Sequence, residues 1–95
     1  MIEIDNIEVA GKKFTGIKVD TQPAPIVIIK GERGFIMCGA LSIEAANKTG
    51  MTAASVSGVK TFDDLLNKEI GNVSAKAREL GIKEGMLGRD ALKLL

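Results

Sequence analysis

The sequence predicts an α+β fold: a largely antiparallel mixed sheet of about five strands, built from two hairpins and one β-α-β crossover, with C-terminal helices packed on one face. Three observations lead there. Residues 2–19 and the run Ile26-Val27-Ile28-Ile29 are rich in β-branched residues, which suit a pleated, half-buried surface. Residues 34–58 read as strand, helix, strand. Apolar residues at helical spacing then gather in the second half, at Val73, Ala77 and Leu80 and again at Leu87, Ala91 and Leu94. Strands first and helices afterwards is the pattern of α+β proteins.

Residues 2–19 read as a hairpin turned at Gly11-Lys12, since glycine at the first central position suits a type II′ turn. That register sets Val9 opposite Phe14. Ile7, Val9 and Phe14 then share one face, whereas Ile2, Ile4, Ile17 and Val19 fall on the other. Two explanations stand for this change of face. A bulge near Asp5-Asn6 and Gly16 restores a single face, or the far half of the hairpin covers a second layer such as another subunit.

Gln22-Pro23-Ala24-Pro25 is a stiff extended connector. Four β-branched residues follow at 26–29 and read as a central strand buried on both faces. Residues 30–34 turn the chain, and residues 35–38 return antiparallel as a second apolar strand. Ser42 suits a helix N-cap, Glu44 complements the first turn, and Gly50 suits the left-handed C-terminal position. Residues 52–57 form a short strand, parallel to 35–38 through the helical crossover. Thr61-Phe62-Asp63-Asp64 matches a capping box that opens a short helix bearing Leu65 and Leu66. A helix from about Asn72 to Leu80 stops at Gly81, and a C-terminal helix carries Leu87, Ala91 and Leu94, its stripe widened by Leu92 and Leu95.

The 95 residues fit a single domain, 1–95, because domains commonly run about 100 to 150 residues. A core this small buries a limited share of its surface. Yet 45% of residues are hydrophobic and mean hydropathy is +0.16, so self-association into a homo-oligomer is expected. Thirteen basic against twelve acidic residues give a net charge of +1 without a long block of either sign. Without a basic stripe, Trp or Tyr, no nucleic-acid partner is expected. The longest apolar run, residues 24–29, is far short of the ~20 residues a membrane helix needs. One cysteine and the opening Met1-Ile2-Glu3-Ile4-Asp5 fit a reducing, cytoplasmic location. With no histidine, Ser-His or Cys-His pairs and His-ligated metals are excluded. Neither a metal nor a cofactor is expected.

Chemistry is left to three places. Cys38 is either a small apolar core residue or a nucleophilic or redox-active thiol, and only the second role needs exposure. Gly39, Ser57, Gly58, Lys60 and Thr61 follow the carboxyl ends of the two parallel strands. Open sheets often bind ligands at such an edge, and here backbone, hydroxyls and an ammonium suit a small anion. The other reading is that both glycines simply make tight turns. Gly85-Met86-Leu87-Gly88-Arg89 sets a guanidinium beside a glycine-flanked helix start, able to hold a phosphate or carboxylate or to pair with one at the surface.

Two runs, GFIMCGALS at 34–42 and GIKEGMLGRDALKLL at 81–95, together with Val9, Gly11, Lys12 and Phe14 of the first hairpin, resemble the YunC-like family, domain of unknown function 1805. The resemblance spans nearly the whole chain. Family members often carry an acidic residue after C-G-A-L, where this sequence has Ser42, so a scheme needing a carboxylate beside the cysteine is not implied. The resemblance implies the α+β fold and carries no activity. The functional expectation is a homo-oligomeric binding or structural module for a small anionic metabolite at the sheet edge, with a Cys38-dependent enzyme or thiol sensor as the alternative.

Overall fold

The computed structural model describes residues 1–39 and 41–95. Six strands form one sheet in sequence order: β1 (Ile2–Val9), β2 (Lys12–Val19), β3 (Ile26–Lys30), β4 (Phe35–Cys38), β5 (Ala53–Val56) and β6 (Asn72–Val73). All neighbours are antiparallel except β4 and β5, whose parallel register pairs Cys38 with Val56. Among the described residues there are four short helices: α1 (Ile43–Thr49), α2 (Phe62–Asn67), α3 (Ala75–Glu79) and α4 (Gly88–Leu92).

The first hairpin differs from expectation at its turn. Val9 pairs with Lys12 around Ala10-Gly11, and both turn residues have positive φ, 53° and 78°, the geometry of a type I′ turn whose twist matches that of the strands. The turn sits one residue earlier than predicted, which moves the pairing by two and opposes Ile7 to Phe14. An even shift leaves each residue on its predicted face. Pairing runs unbroken from Ile2↔Val19 to Val9↔Lys12, so no bulge restores a single apolar face.

The sheet consequently has two unequal sides. Phe14, Val27, Ile29, Ile36, Cys38, Ala54, Val56 and Val73 face the main core, closed by Leu65 of α2, Ala77 of α3, and Ala91 and Leu92 of α4. The opposite side carries a smaller cluster, in which Ala46 of α1 covers Met37 and Ala53 with Ile28, Phe35, Leu41 and Ile43 around them. β3 is central, as expected, but Val27 and Ile29 are fully buried whereas Ile26 and Ile28 are only half-buried. Its second face is incompletely covered.

Asn72 and Val73 belong to a strand rather than to the helix predicted to begin there. Ser74 explains the boundary: its buried Oγ accepts from the N–H groups of both Ala53 and Ala77, at 2.9 and 3.3 Å. One hydroxyl thus caps α3 and fastens it to β5. The predicted caps at Ser42 and Thr61 form as expected, accepting from Ala45 and Asp64. Gly50 closes α1 at φ 73°.

Candidate functional site

The parallel pairing of β4 with β5 brings their carboxyl ends to one edge, and the chain turns away from each at a glycine. A crevice of about 340 Å3 opens there, lined by Ala24, Pro25, Cys38, Gly39, Ser57, Gly58, Val59 and Lys60. Five residues singled out from the sequence thereby meet in one place. Gly58 has φ 71°, which glycine adopts without strain. Lys68 Nζ donates to the Gly58 carbonyl at 2.7 Å, holding the turn and setting an ammonium beside Gly58.

Thr61 stands one residue beyond this lining. Its hydroxyl caps α2, and it borders a separate depression with Asp5, Ile7 and Phe62. Asp64 ties the two places together, since its Oδ2 accepts from the Lys60 N–H at 3.0 Å. That hydrogen bond, helped by the charge of Lys68 and the Thr61 hydroxyl, holds the Asp64 carboxyl below its ordinary range. The carboxylate fixes the backbone that carries Lys60.

Cys38 forms part of the crevice floor yet is only 3% exposed. Its sulfur accepts from the Val27 N–H at 3.4 Å and faces the Pro25 carbonyl at 3.9 Å. The thiol therefore joins β4 to the start of β3 where the backbone pairing of the two strands has ended.

Arg89 lies apart from the crevice. Its guanidinium donates to the Asn67 side chain and borders a depression with Glu8, Val9, Ala10, Leu66 and Lys93. The glycines before it are engaged by the fold. The Gly85 N–H donates to the Ile70 carbonyl at 2.9 Å, the Gly88 N–H donates to that of Lys68 at 3.0 Å, and the Ile70 N–H donates to Met86. These bonds consume backbone donors that an anion would need.

A depression of about 570 Å3, larger than the crevice, carries no signature in the sequence. Lys12 and Lys13 from the β1–β2 hairpin, Arg33 from the β3–β4 turn and Lys93 after α4 line it with Phe14, Glu32, Leu94 and Leu95. Lys93 pairs with Asp90, whereas Lys13 and Arg33 form no ion pair among the described residues. These cations are scattered over 82 positions, so no charge block announced them. Among the described residues no group of three Cys, Asp or Glu side chains is placed to hold a metal. No helix is long and apolar enough to cross a membrane.

Comparison with known proteins agrees over nearly the whole chain. The model of a domain of unknown function, DUF1805, matches residues 37–95. An uncharacterized protein of Bacillus subtilis, YunC, is 35% identical over 97% of this chain and 95% of its own length. The crystal structure of a protein of unknown function from Thermoplasma acidophilum, TA1206, superimposes with a TM-score of 0.93 at 41% identity, covering 98% of this chain and 91% of that one.

Proposed function

The chain belongs to the DUF1805 family, and from that premise we propose that it is a homo-oligomeric binding module that takes a small anionic metabolite at the β4–β5 edge. One observation carries this reading: Gly39, Ser57, Gly58 and Lys60 line the same crevice at the ends of the two parallel strands. Exposed backbone, a hydroxyl and the ammonium of Lys60, whose backbone N–H is held by Asp64, suit a phosphate or carboxylate. Thr61 orders the adjoining turn. Arg89 stands outside the crevice and contributes no contact to this ligand.

Native mass spectrometry of freshly purified protein tests for a retained ligand, and calorimetry with inorganic phosphate and pyrophosphate tests the anion class. Binding that weakens in Lys60→Ala and persists in Arg33→Ala supports the crevice. The reverse result moves the anion to the basic depression and overturns this assignment, as does the absence of both retained ligand and binding heat.

A Cys38-dependent enzyme or thiol sensor is the second reading, favoured by the position of Cys38 in the crevice lining. Its burial and two polar partners favour a packing role instead. Native protein that reacts with iodoacetamide much faster than glutathione does, near neutral pH, would reverse that preference.

A further inference from the structure

We infer that the basic depression between the β1–β2 hairpin, the β3–β4 turn and the end of α4 is a second ligand site, one that takes a small molecule bearing a chain of phosphates. It goes beyond the β4–β5 crevice and is independent of it. Arg33 stands just before β4 and Cys38 ends that strand, so the two places lie at its opposite ends.

The way the sheet ends here opens main-chain groups to a ligand. Val9 and Lys12 close the hairpin around Ala10-Gly11, and in a two-residue type I′ hairpin the closing pair exchanges its main-chain hydrogen bonds. The N–H and carbonyl of Lys13 therefore point the other way, towards β3. Pairing of β2 with β3 stops at Thr15↔Lys30, two residues short of Lys13. Where Glu32 would meet it, the chain folds back. The Gly31 N–H donates to the Gly34 carbonyl at 2.8 Å, and the Arg33 N–H donates to the Leu95 carbonyl at 2.9 Å. Among the described residues the Lys13 N–H has no main-chain acceptor. This explains why Lys13 lines the depression although its side chain alternates to the other face from Lys12 and Phe14.

Positive charge gathers around that open N–H. Lys12 lies on the face of Phe14, and its Nζ donates to the Lys93 carbonyl at 3.4 Å, which sets the ammonium at the rim with further donors to spare. Arg33 is exposed and forms no ion pair among the described residues. Lys93 pairs with Asp90 at 3.2 Å, but both side chains are about half exposed, and such a contact is worth little in water. Glu32 is the one acidic side chain among the described lining residues. Cations from three separate segments thus surround one main-chain donor. A lone carboxylate or phosphate answers one or two of them, whereas linked phosphates carry several charged oxygens along a short chain and answer all. The volume of about 570 Å3 falls within the ~300–1,000 Å3 of small-molecule sites.

Calorimetry on the full chain with tripolyphosphate, at low and at moderate salt, is the test. The wild-type chain is expected to bind it with an affinity that falls as salt rises. Arg33→Gln and Lys12→Gln alter exposed side chains, and each is expected to weaken binding by about 10-fold, the loss for one charge-assisted contact. Lys76→Gln removes the same charge from α3, outside the lining, and is expected to leave the affinity unchanged, as is Lys60→Ala in the crevice. An equal loss in Lys76→Gln reduces the effect to net charge and overturns the site. A loss in Lys60→Ala with none in Arg33→Gln places tripolyphosphate in the crevice, which overturns this inference and spares that reading. A wild-type chain that binds no tripolyphosphate also overturns it, and shows that these cations answer only to acids of their own chain; the crevice is then still judged by its own phosphate titration.

Discussion

The backbone N–H of Val27 donates to the sulfur of Cys38 at 3.4 Å in a fully buried setting. The thiol thus occupies the place that a carbonyl would take if the pairing of β3 with β4 ran one step further. Cys38→Ala leaves that N–H without a partner, and a stranded buried donor costs about 1–3 kcal/mol. Urea denaturation is expected to show a loss in that range. Iodoacetamide is expected to label the wild-type chain only after denaturation, and rapid labelling of native protein would contradict the packing role.

Gly88 tests how α4 meets α2. A Cβ built there runs into the carbonyl group of Leu65, a backbone atom that cannot swing aside. Gly88→Ala is expected to cost at least about 3–4 kcal/mol or to prevent folding, since overpacking against backbone is among the few severe single-residue lesions. At Gly39 the nearest obstacle is the Cα of Ser57 at 3.7 Å, an ordinary contact. Gly39→Ala is expected to change stability by no more than about 0.5 kcal/mol. Urea midpoints that do not separate the two variants would refute this account of the glycines.

Ser74 is fully buried and its hydroxyl accepts two N–H groups from different elements. Ser74→Ala removes an N-cap and strands the Ala53 donor on β5 together. The expected loss is about 2–3 kcal/mol, above the ~1 kcal/mol of an exposed cap. A loss confined to the exposed-cap value would show that the Ala53 N–H finds another acceptor.

The lowered Asp64 carboxyl predicts a pH signature. Its folded pKa lies below the ordinary value of 3.8, so its contribution to stability is complete above that value and is lost as pH falls through the lower folded one. The stability difference between wild type and Asp64→Asn is expected to be constant near neutral pH and to shrink below pH 3.8. Glu84, lowered mainly by its hydrogen bond to Arg78, follows the same sign. A difference that grows on acidification would contradict the Lys60–Asp64 hydrogen bond.

Local chemistry wrote much of the fold into the sequence. Ser42, Gly50 and Thr61 act on backbone groups within a few residues, so spacing alone was enough to place them. The β-branched run at 26–29 and the crossover after Cys38 likewise yielded a central strand and the parallel pair, and with them the edge where Gly39, Ser57, Gly58 and Lys60 meet. Tertiary contacts decided the rest. Asn72-Val73 continues a helical period in sequence, yet it lies extended because β5 offers an open edge and Ser74 caps the helix two residues later. Ala10 carries no local preference for positive φ, so the hairpin turn was set by the register of the ladder. Lys12, Lys13, Arg33 and Lys93 become neighbours only when the hairpin, a turn and the C-terminal segment converge. The sequence by itself determined which residues alternate on each strand. Only the assembled sheet decided that α1 covers half of the second face and leaves Ile2, Ile4, Ile17 and Val19 open, because burial depends on what packs above a strand as well as on the strand's own pattern.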